Sequence, residues 1–309
     1  YYKGGLMSYE KDYLSLCQRV LDEGEYTEDR TGTGCYSVIG AMMTHNLSEG
    51  FPLLTTKKLN FNLIAGELLW FLSGSTTLPT LRKYQCKEKG ANTIWSADFN
   101  KFKETQDLGK FTKITESLGR VYGYQLRSYF GVDPDYNIVV HDQLKTLITN
   151  IKATKEDPSH PMARRLRCSF WNPLDHTVGD KKWCALPACH TDFQCIVRNG
   201  KLHLSFNMRS NDVFLGNPYN FASYSLLCHI LAKLVGLDAG TVTYFGVDVH
   251  IYTNHLEQIK EQLSREKTET PVLVLPEFNS LEELLALTGE DFKLEGYNPH
   301  AFIKAPQAS

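Results

Sequence analysis

Cys189 ends the run Ala185-Leu186-Pro187-Ala188-Cys189 and is followed by His190 and an alternating apolar stretch. Pro187 cannot continue a helix and has no N–H to donate. The thiol therefore stands at a loop-to-strand junction, from which a side chain can face a cleft. A thiolate attacks where a thiol does not, and nearby positive charge favours the thiolate. Arg209, on the next strand run, can supply that charge. The competing reading is a half-buried structural cysteine at a strand start. A protease-like pairing of Cys189 with His190 is disfavoured, because neighbouring strand residues face opposite ways. Cys184, Cys189 and Cys195 with His190 lack a C-x-x-C pair, so no metal is expected.

Other residues add partial signals. Arg164-Arg165 and Arg209-Ser210 are short basic elements near strand ends. Guanidinium forks suit phosphate oxygens, and a hydroxyl adds a donor; a solvated basic pair is the plain alternative. Glu67 lies inside the apolar run Leu63–Leu72. Desolvation there would raise its pKa and make a proton-relay acid, unless it serves structurally. Asn220 stands where a long apolar helix is expected to open. It can cap that helix, or its amide can offer one donor and one acceptor to a uracil edge. Asp248, His250 and Tyr252 alternate and share a strand face.

The elements that position these residues follow from periodicity. An opening helix places Tyr9, Tyr13, Leu14, Cys17, Val20 and Leu21 on one face, with Gly24 at its end. A buried helix spans about Leu63 to Leu72, and another about His141 to Lys152. Polar insertions are expected near 100–118 and 154–163. Period two appears in Leu166, Cys168 and Phe170, again in Phe193, Cys195 and Val197, and in Leu202, Leu204 and Phe206. Asn199-Gly200 between the last two runs is a hairpin signal. A helix over 221–235, stopped by Gly236, precedes a strand over 241–247. Helices and strands do not alternate regularly, so an α+β class is expected over a Rossmann fold. Gly32 and Gly34 follow no clear strand and do not make a dinucleotide fingerprint.

Composition sets limits. Lys plus Arg number 33 against 35 Asp plus Glu, a net charge of −2. That balance disfavours polymeric nucleic acid as a partner and leaves room for one small phosphate. No membrane span or secretory signal is apparent. Eight cysteines in 309 residues do not make a disulfide scaffold; a reducing compartment and a cytoplasmic location are expected. Residues 1–6 read as a cloning remnant before a native start at Met7, with 7–309 a single catalytic domain.

Together the segments resemble the thymidylate synthase family over about Tyr9 to Ala308. The matching blocks include Asp29–Gly34, Phe51–Lys58, Glu67–Leu72, Ile94-Trp95, Val121–Gly123, Ala185–His190, Arg209–Asn220, His250–His255 and Gly296–His300. The resemblance implies a mixed β-sheet packed with helices and a homodimer through the sheet, with shared active sites. It also implies dUMP and 5,10-methylenetetrahydrofolate as substrates. Cys189 then corresponds to the nucleophile that attacks C6 of the pyrimidine. Arg30, Arg209 and Ser210 correspond to phosphate ligands, and Arg164 and Arg165 to the pair that reaches the partner's phosphate. Asn220 corresponds to the base reader, and His250 with Tyr252 to ribose ligands. Glu67, Tyr122 and His190 match the proton-transfer network. Trp95, Asp212, Leu215, Gly216 and Tyr219 match the folate side, and Lys57 the folate's glutamate tail.

Several positions depart from the family pattern. Ser96 replaces an Asp, Arg120 a Pro, Leu126 a Trp and Ala188 the second Pro before the cysteine. The polar tail Lys304–Ser309 stands where the family usually ends in Val or Ile. A tail that admits water would let hydroxide capture the methylene intermediate. The alternative product is therefore 5-hydroxymethyl-dUMP, made by a dUMP hydroxymethylase of the viral type. Asn at 220, rather than Asp, argues against a dCMP-specific enzyme.

Overall fold

The computed structural model describes residues 9–28, 32–105, 114–177 and 183–307. Arg30, the first six residues and the last two of the tail lie outside that set. In chain order, helix α1 (Tyr9–Glu23) and strands β1 (Glu25–Thr27) and β2 (Cys35–Asn46) are followed by helices α2 (Phe61–Leu72), α3 (Leu78–Tyr84), α4 (Ser96–Thr105) and α5 (Tyr122–Arg127). Next come β3 (Tyr129–Val132), β4 (Ile138–His141), α6 (Gln143–Glu156), β5 (Arg167–Ser169), α7 (Leu174–Thr177) and β6 (His190–Arg198). Strands β7 (Lys201–Asp212) and β8 (Asp238–Tyr252) flank helix α8 (Gly216–Val235), and α9 (Leu256–Leu263) follows. The order is α+β. Among the described residues no helix is long and apolar enough to cross a membrane.

Two compact units emerge. The first takes the chain up to Phe61, Arg198–Leu275 and the part from Lys293 on; the second takes Asn62–Val197 and Pro276–Phe292. In the first unit the strand order is β1-β2-β8-β7. Strand β2 runs antiparallel to β8, with Cys35 opposite Tyr252 and Ser37 opposite His250. Strand β7 runs parallel to β8, with Ser210 opposite Asp248 and Asp212 opposite His250. The sheet is thus mixed. Its core holds Phe206, whose ring stacks on Tyr224 at 4.1 Å, and Tyr9, which stacks on Phe221 at 4.0 Å.

Helix α1 buries Tyr9, Tyr13, Leu16, Cys17 and Val20. Leu14 and Leu21 are only half-buried, so the stripe is turned from the expected one. Glu10 accounts for the turn. Its buried carboxylate accepts N–H bonds from Thr55 and Thr56 at 2.8 and 2.7 Å. Gly24 ends the helix, and a Cβ there would meet the Val20 carbonyl at 2.3 Å.

Helix α8 starts five residues before its expected first turn. Leu215 is its N-cap residue and Pro218 lies in its first turn, where a missing N–H costs nothing. Asn220 is therefore inside the helix and caps nothing. Gly236 closes it in the left-handed region at φ 67°. Strand β8 is twice the expected length and carries Asp248, His250 and Tyr252 without a break.

In the second unit, β5 and β6 pair antiparallel with Ser169 opposite Asp192. Asn199 and Gly200, the two residues between β6 and β7, both have positive φ, 51° and 73°. That is the chemistry of a type I′ turn. Two helices reach into the expected polar stretches. The excursion near 100–118 begins inside α4, which buries Phe99 and Phe102 at helical spacing. The insertion near 154–163 begins inside α6, because Thr154 continues the buried stripe Leu144, Leu147, Ile151.

Candidate active site

In the second unit the described residues place Cys189 and Tyr122 together. The Cys189 N–H donates to the Tyr122 hydroxyl at 2.9 Å. The thiol is half-buried and lies 3.9 Å from the Pro187 carbonyl. Tyr122 begins α5, and its ring stacks on His190, the first residue of β6, at 3.8 Å and 5° between planes. Phe71 and Phe170 flank both rings. Burial pushes the His190 imidazole down to about 3, so it is neutral at ordinary pH.

Glu67, on α2, accepts the indole N–H of Trp95 at 2.7 Å. Loss of water raises its carboxyl to about 7, against the Trp95 hydrogen bond, which works downward. Trp95 stands edge-on to Tyr122 at 6.0 Å. Glu67, Trp95, Tyr122, His190 and Cys189 therefore form one connected group of rings and hydrogen bonds. Sequence reasoning put Trp95 on the folate side; here it is also the partner of Glu67.

Arg164 and Arg165 are exposed and lie in the turn before β5, not on the strand. Two of the departures from the family pattern have local partners. Ser96 Oγ accepts the Thr93 N–H at 2.9 Å and so closes the turn into α4. Arg120 pairs with Asp175 at 2.9 Å. No cysteine takes part in a disulfide, and among the described residues no His, Cys, Asp and Glu cluster would hold a metal.

The first unit carries a second group. The parallel register of β7 and β8 sets Ser210 beside Asp248 and Asp212 beside His250. His250 Nδ1 lies 3.6 Å from Asp248 Oδ2, too long for a hydrogen bond and close enough for charge attraction. Burial alone would lower the His250 pKa; the carboxylates of Asp248 and Asp212 outweigh it and raise it. Interaction with His250 in turn lowers the Asp248 carboxyl, with Arg209 a smaller contributor. Tyr252 packs its ring 5.1 Å from that of His250.

Asp212 Oδ1 accepts the N–H groups of Phe214 and Leu215 at 2.9 and 3.1 Å and so shapes the turn into α8. Gly216 leaves Asn220 close by: a Cβ on it would stand 3.5 Å from Asn220 Oδ1 and 3.7 Å from Asp212 Cβ. Asp212, Gly216 and Asn220 thus share one corner, with Leu215 and Tyr219 half-buried beside them. Lys57 is only 3 % exposed. Its ammonium donates to the Phe214 carbonyl and lies 3.5 Å from the Phe214 ring centre. Burial lowers it to about 7. Contact with a folate tail would need that amine to turn outward.

Sequence reasoning missed the polar network under this corner. Asn211 Oδ1 accepts from Asn217 at 2.7 Å and from Tyr244 at 2.8 Å, and the Tyr9 hydroxyl donates to Asn217 at 3.2 Å. Asn211 and Asn217 fall within the Arg209–Asn220 block, and polar residues that dense at a strand end were the available signal.

Comparison with known proteins identifies the family. The thymidylate synthase family model matches residues 11–309. A protein of Escherichia phage T5, named a probable thymidylate synthase, is 41 % identical over 303 residues, which are 97 % of this chain and all of that protein. The chain belongs to the thymidylate synthase family, folate-dependent one-carbon transferases acting on C5 of dUMP.

Proposed function

We propose that Cys189 is the nucleophile with which this chain converts dUMP to dTMP. The observation that carries the reading is the hydrogen bond from its N–H to Tyr122 at 2.9 Å, which anchors a half-buried thiol on a loop that Pro187 keeps from being helical. The thiolate adds to C6, and the displaced electron pair makes C5 an enolate-like carbon nucleophile. Methylenetetrahydrofolate supplies the carbon and the hydride. Removal of the C5 proton and departure of the thiolate from C6 complete the exchange.

The chain's other residues bind and move protons. Asn220 accepts from uracil N3–H and donates to O4, where negative charge develops. Glu67, with a carboxyl near 7, is poised to exchange protons at neutral pH. Tyr122 and neutral His190 serve the same network. Arg30, Arg209 and Ser210 hold the phosphate; His250 and Tyr252 hold the ribose 3′-hydroxyl. Asp212, Leu215, Gly216 and Tyr219 offer the folate a carboxylate and a half-buried wall, with Trp95 and Lys57 also assigned to it.

The enzyme acts as a homodimer through its sheet, with Arg164 and Arg165 serving the partner's phosphate. The support is twofold. Both arginines are exposed. Ile39, Met42, Phe245 and Val247 on β2 and β8 are 75, 60, 41 and 58 % exposed, more apolar surface on one pair of strands than a monomer usually leaves. Cysteines outside disulfides fit action in a reducing, cytoplasmic setting.

The family match and the name of the phage relative favour the methyl product over the hydroxymethyl one. Mass spectrometry of the nucleotide formed from dUMP and methylenetetrahydrofolate tests the reading. It predicts dTMP; 5-hydroxymethyl-dUMP as the main product would overturn it.

A further inference from the structure

The loop that carries Cys189 is held by a cluster that the reaction scheme does not use. Arg120 Nη1 donates to Asp175 Oδ1 at 2.9 Å, and Asp175 Oδ2 accepts from Gln125 at 2.6 Å. The Asp175 side chain is 2 % exposed. A carboxylate that deep needs both a charge partner and hydrogen bonds, and Arg120 is the charge partner. The same guanidinium lies 4.5 Å from the Trp183 ring centre. The Arg120 N–H donates to the Trp183 carbonyl at 2.8 Å.

The contact continues along the chain. Gly119 bridges to Cys184, and the Ala185 N–H donates to the Leu118 carbonyl at 2.9 Å. Gly119 has φ +75°, and a Cβ there would meet the Trp183 carbonyl at 2.3 Å, so glycine is required for the two segments to meet. Four residues beyond Ala185, the Cys189 N–H reaches Tyr122 at 2.9 Å. Residues 118–122 thus hold the loop 183–189 at both ends. A proline at position 120, usual in the family pattern, would offer neither an N–H to Trp183 nor a charge to Asp175.

We propose that Arg120 is a positioning residue for Cys189: paired with Asp175 and stacked on Trp183, it fixes the loop Trp183–Cys189 and so sets where the thiolate meets C6 of the pyrimidine. The inference rests on Cys189 being the nucleophile. Arg120 contacts no substrate in this account; it acts through the loop.

The test compares Arg120→Met and Arg120→Lys with the parent. A small misplacement of a reacting atom costs rate steeply, so kcat of Arg120→Met should fall about tenfold or more. KM for dUMP should stay within about twofold, because the phosphate and base contacts are intact. Arg120→Lys keeps the charge and should recover part of the loss. Unchanged kcat in Arg120→Met, or a loss shared equally by kcat and KM, overturns the proposal. If Arg120→Met does not fold, Asp175→Asn and Arg120→Lys give the same kcat-against-KM reading. Cys189→Ser runs alongside: an active Ser variant sinks the nucleophile assignment, whereas an inert one beside an unaffected Arg120→Met sinks only the role of Arg120.

Discussion

The backbone N–H of Cys189 donates to the hydroxyl of Tyr122 at 2.9 Å, and the Tyr122 ring lies flat on that of His190 at 3.8 Å. One tyrosine therefore fixes the main chain at Cys189 and the imidazole of the next residue. Tyr122→Phe keeps the stacking and removes the hydroxyl. An unpaired, partly buried N–H costs ~1–3 kcal/mol, so the loop should loosen and kcat should fall about fivefold or more. Steady-state kinetics with dUMP and folate checks this; a change under twofold would show that the hydrogen bond does not position the thiol.

The raised carboxyl of Glu67 predicts a pH dependence of both activity and stability. Its folded carboxyl titrates near 7, raised by loss of water from the ordinary carboxyl value. The folded state therefore holds a proton that the unfolded chain releases at lower pH. Stability from this group is full below the unfolded value, falls as pH rises, and levels off above about 7. Glu67→Gln cannot titrate. Its Tm should fall less between pH 5 and 7 than that of the parent, and the neutral-pH limb of its kcat profile should disappear. Parallel Tm curves for both proteins would show that Glu67 titrates normally.

Asn220 lies inside α8, where Leu215 is the N-cap residue. Replacement by Asp should therefore act on base recognition and not on helix capping. An ionised Asp has no donor for uracil O4 but accepts from the cytosine amino group. Leaving such a group unmatched can cost several kcal/mol in discrimination. The parent should prefer dUMP strongly over dCMP, and Asn220→Asp should shift kcat/KM toward dCMP by at least about tenfold. An unchanged ratio would remove Asn220 as the base reader.

Much of this arrangement was legible in the sequence because period and turn chemistry act locally. Leu166, Cys168 and Phe170 alternate as a strand requires, and all three are buried. Asn199-Gly200 adopts the positive φ values its composition announces. What was not legible depends on partners far away in the chain. Glu10 is turned inward because Thr55 and Thr56 offer it two N–H groups. Asn220 reads as a cap because the apolar run begins at Phe221, whereas the helix already opens at Gly216 with Leu215 as its N-cap residue. The pairing of Arg120 needed Asp175, fifty-five residues on.

Shared sites make a mixing prediction. Arg165 is exposed and assigned to the partner's phosphate, and Cys189 to the site of its own chain. Cys189→Ser and Arg165→Ala homodimers should each be nearly inactive. Mixed and allowed to exchange subunits, they should regain activity in the heterodimers that keep one complete site. Verified exchange with no recovery would count against sharing.

Substitution of Cys189 addresses the central claim most directly. Cys189→Ser keeps the loop, the Tyr122 hydrogen bond and every group assigned to phosphate, ribose and base, and removes only the thiolate. Turnover of dUMP should be lost by several orders of magnitude while dUMP still binds, as equilibrium binding would show; Cys184→Ser and Cys195→Ser should leave the reaction largely intact. A Cys189→Ser enzyme that still made dTMP within a few-fold of the parent rate would contradict the account.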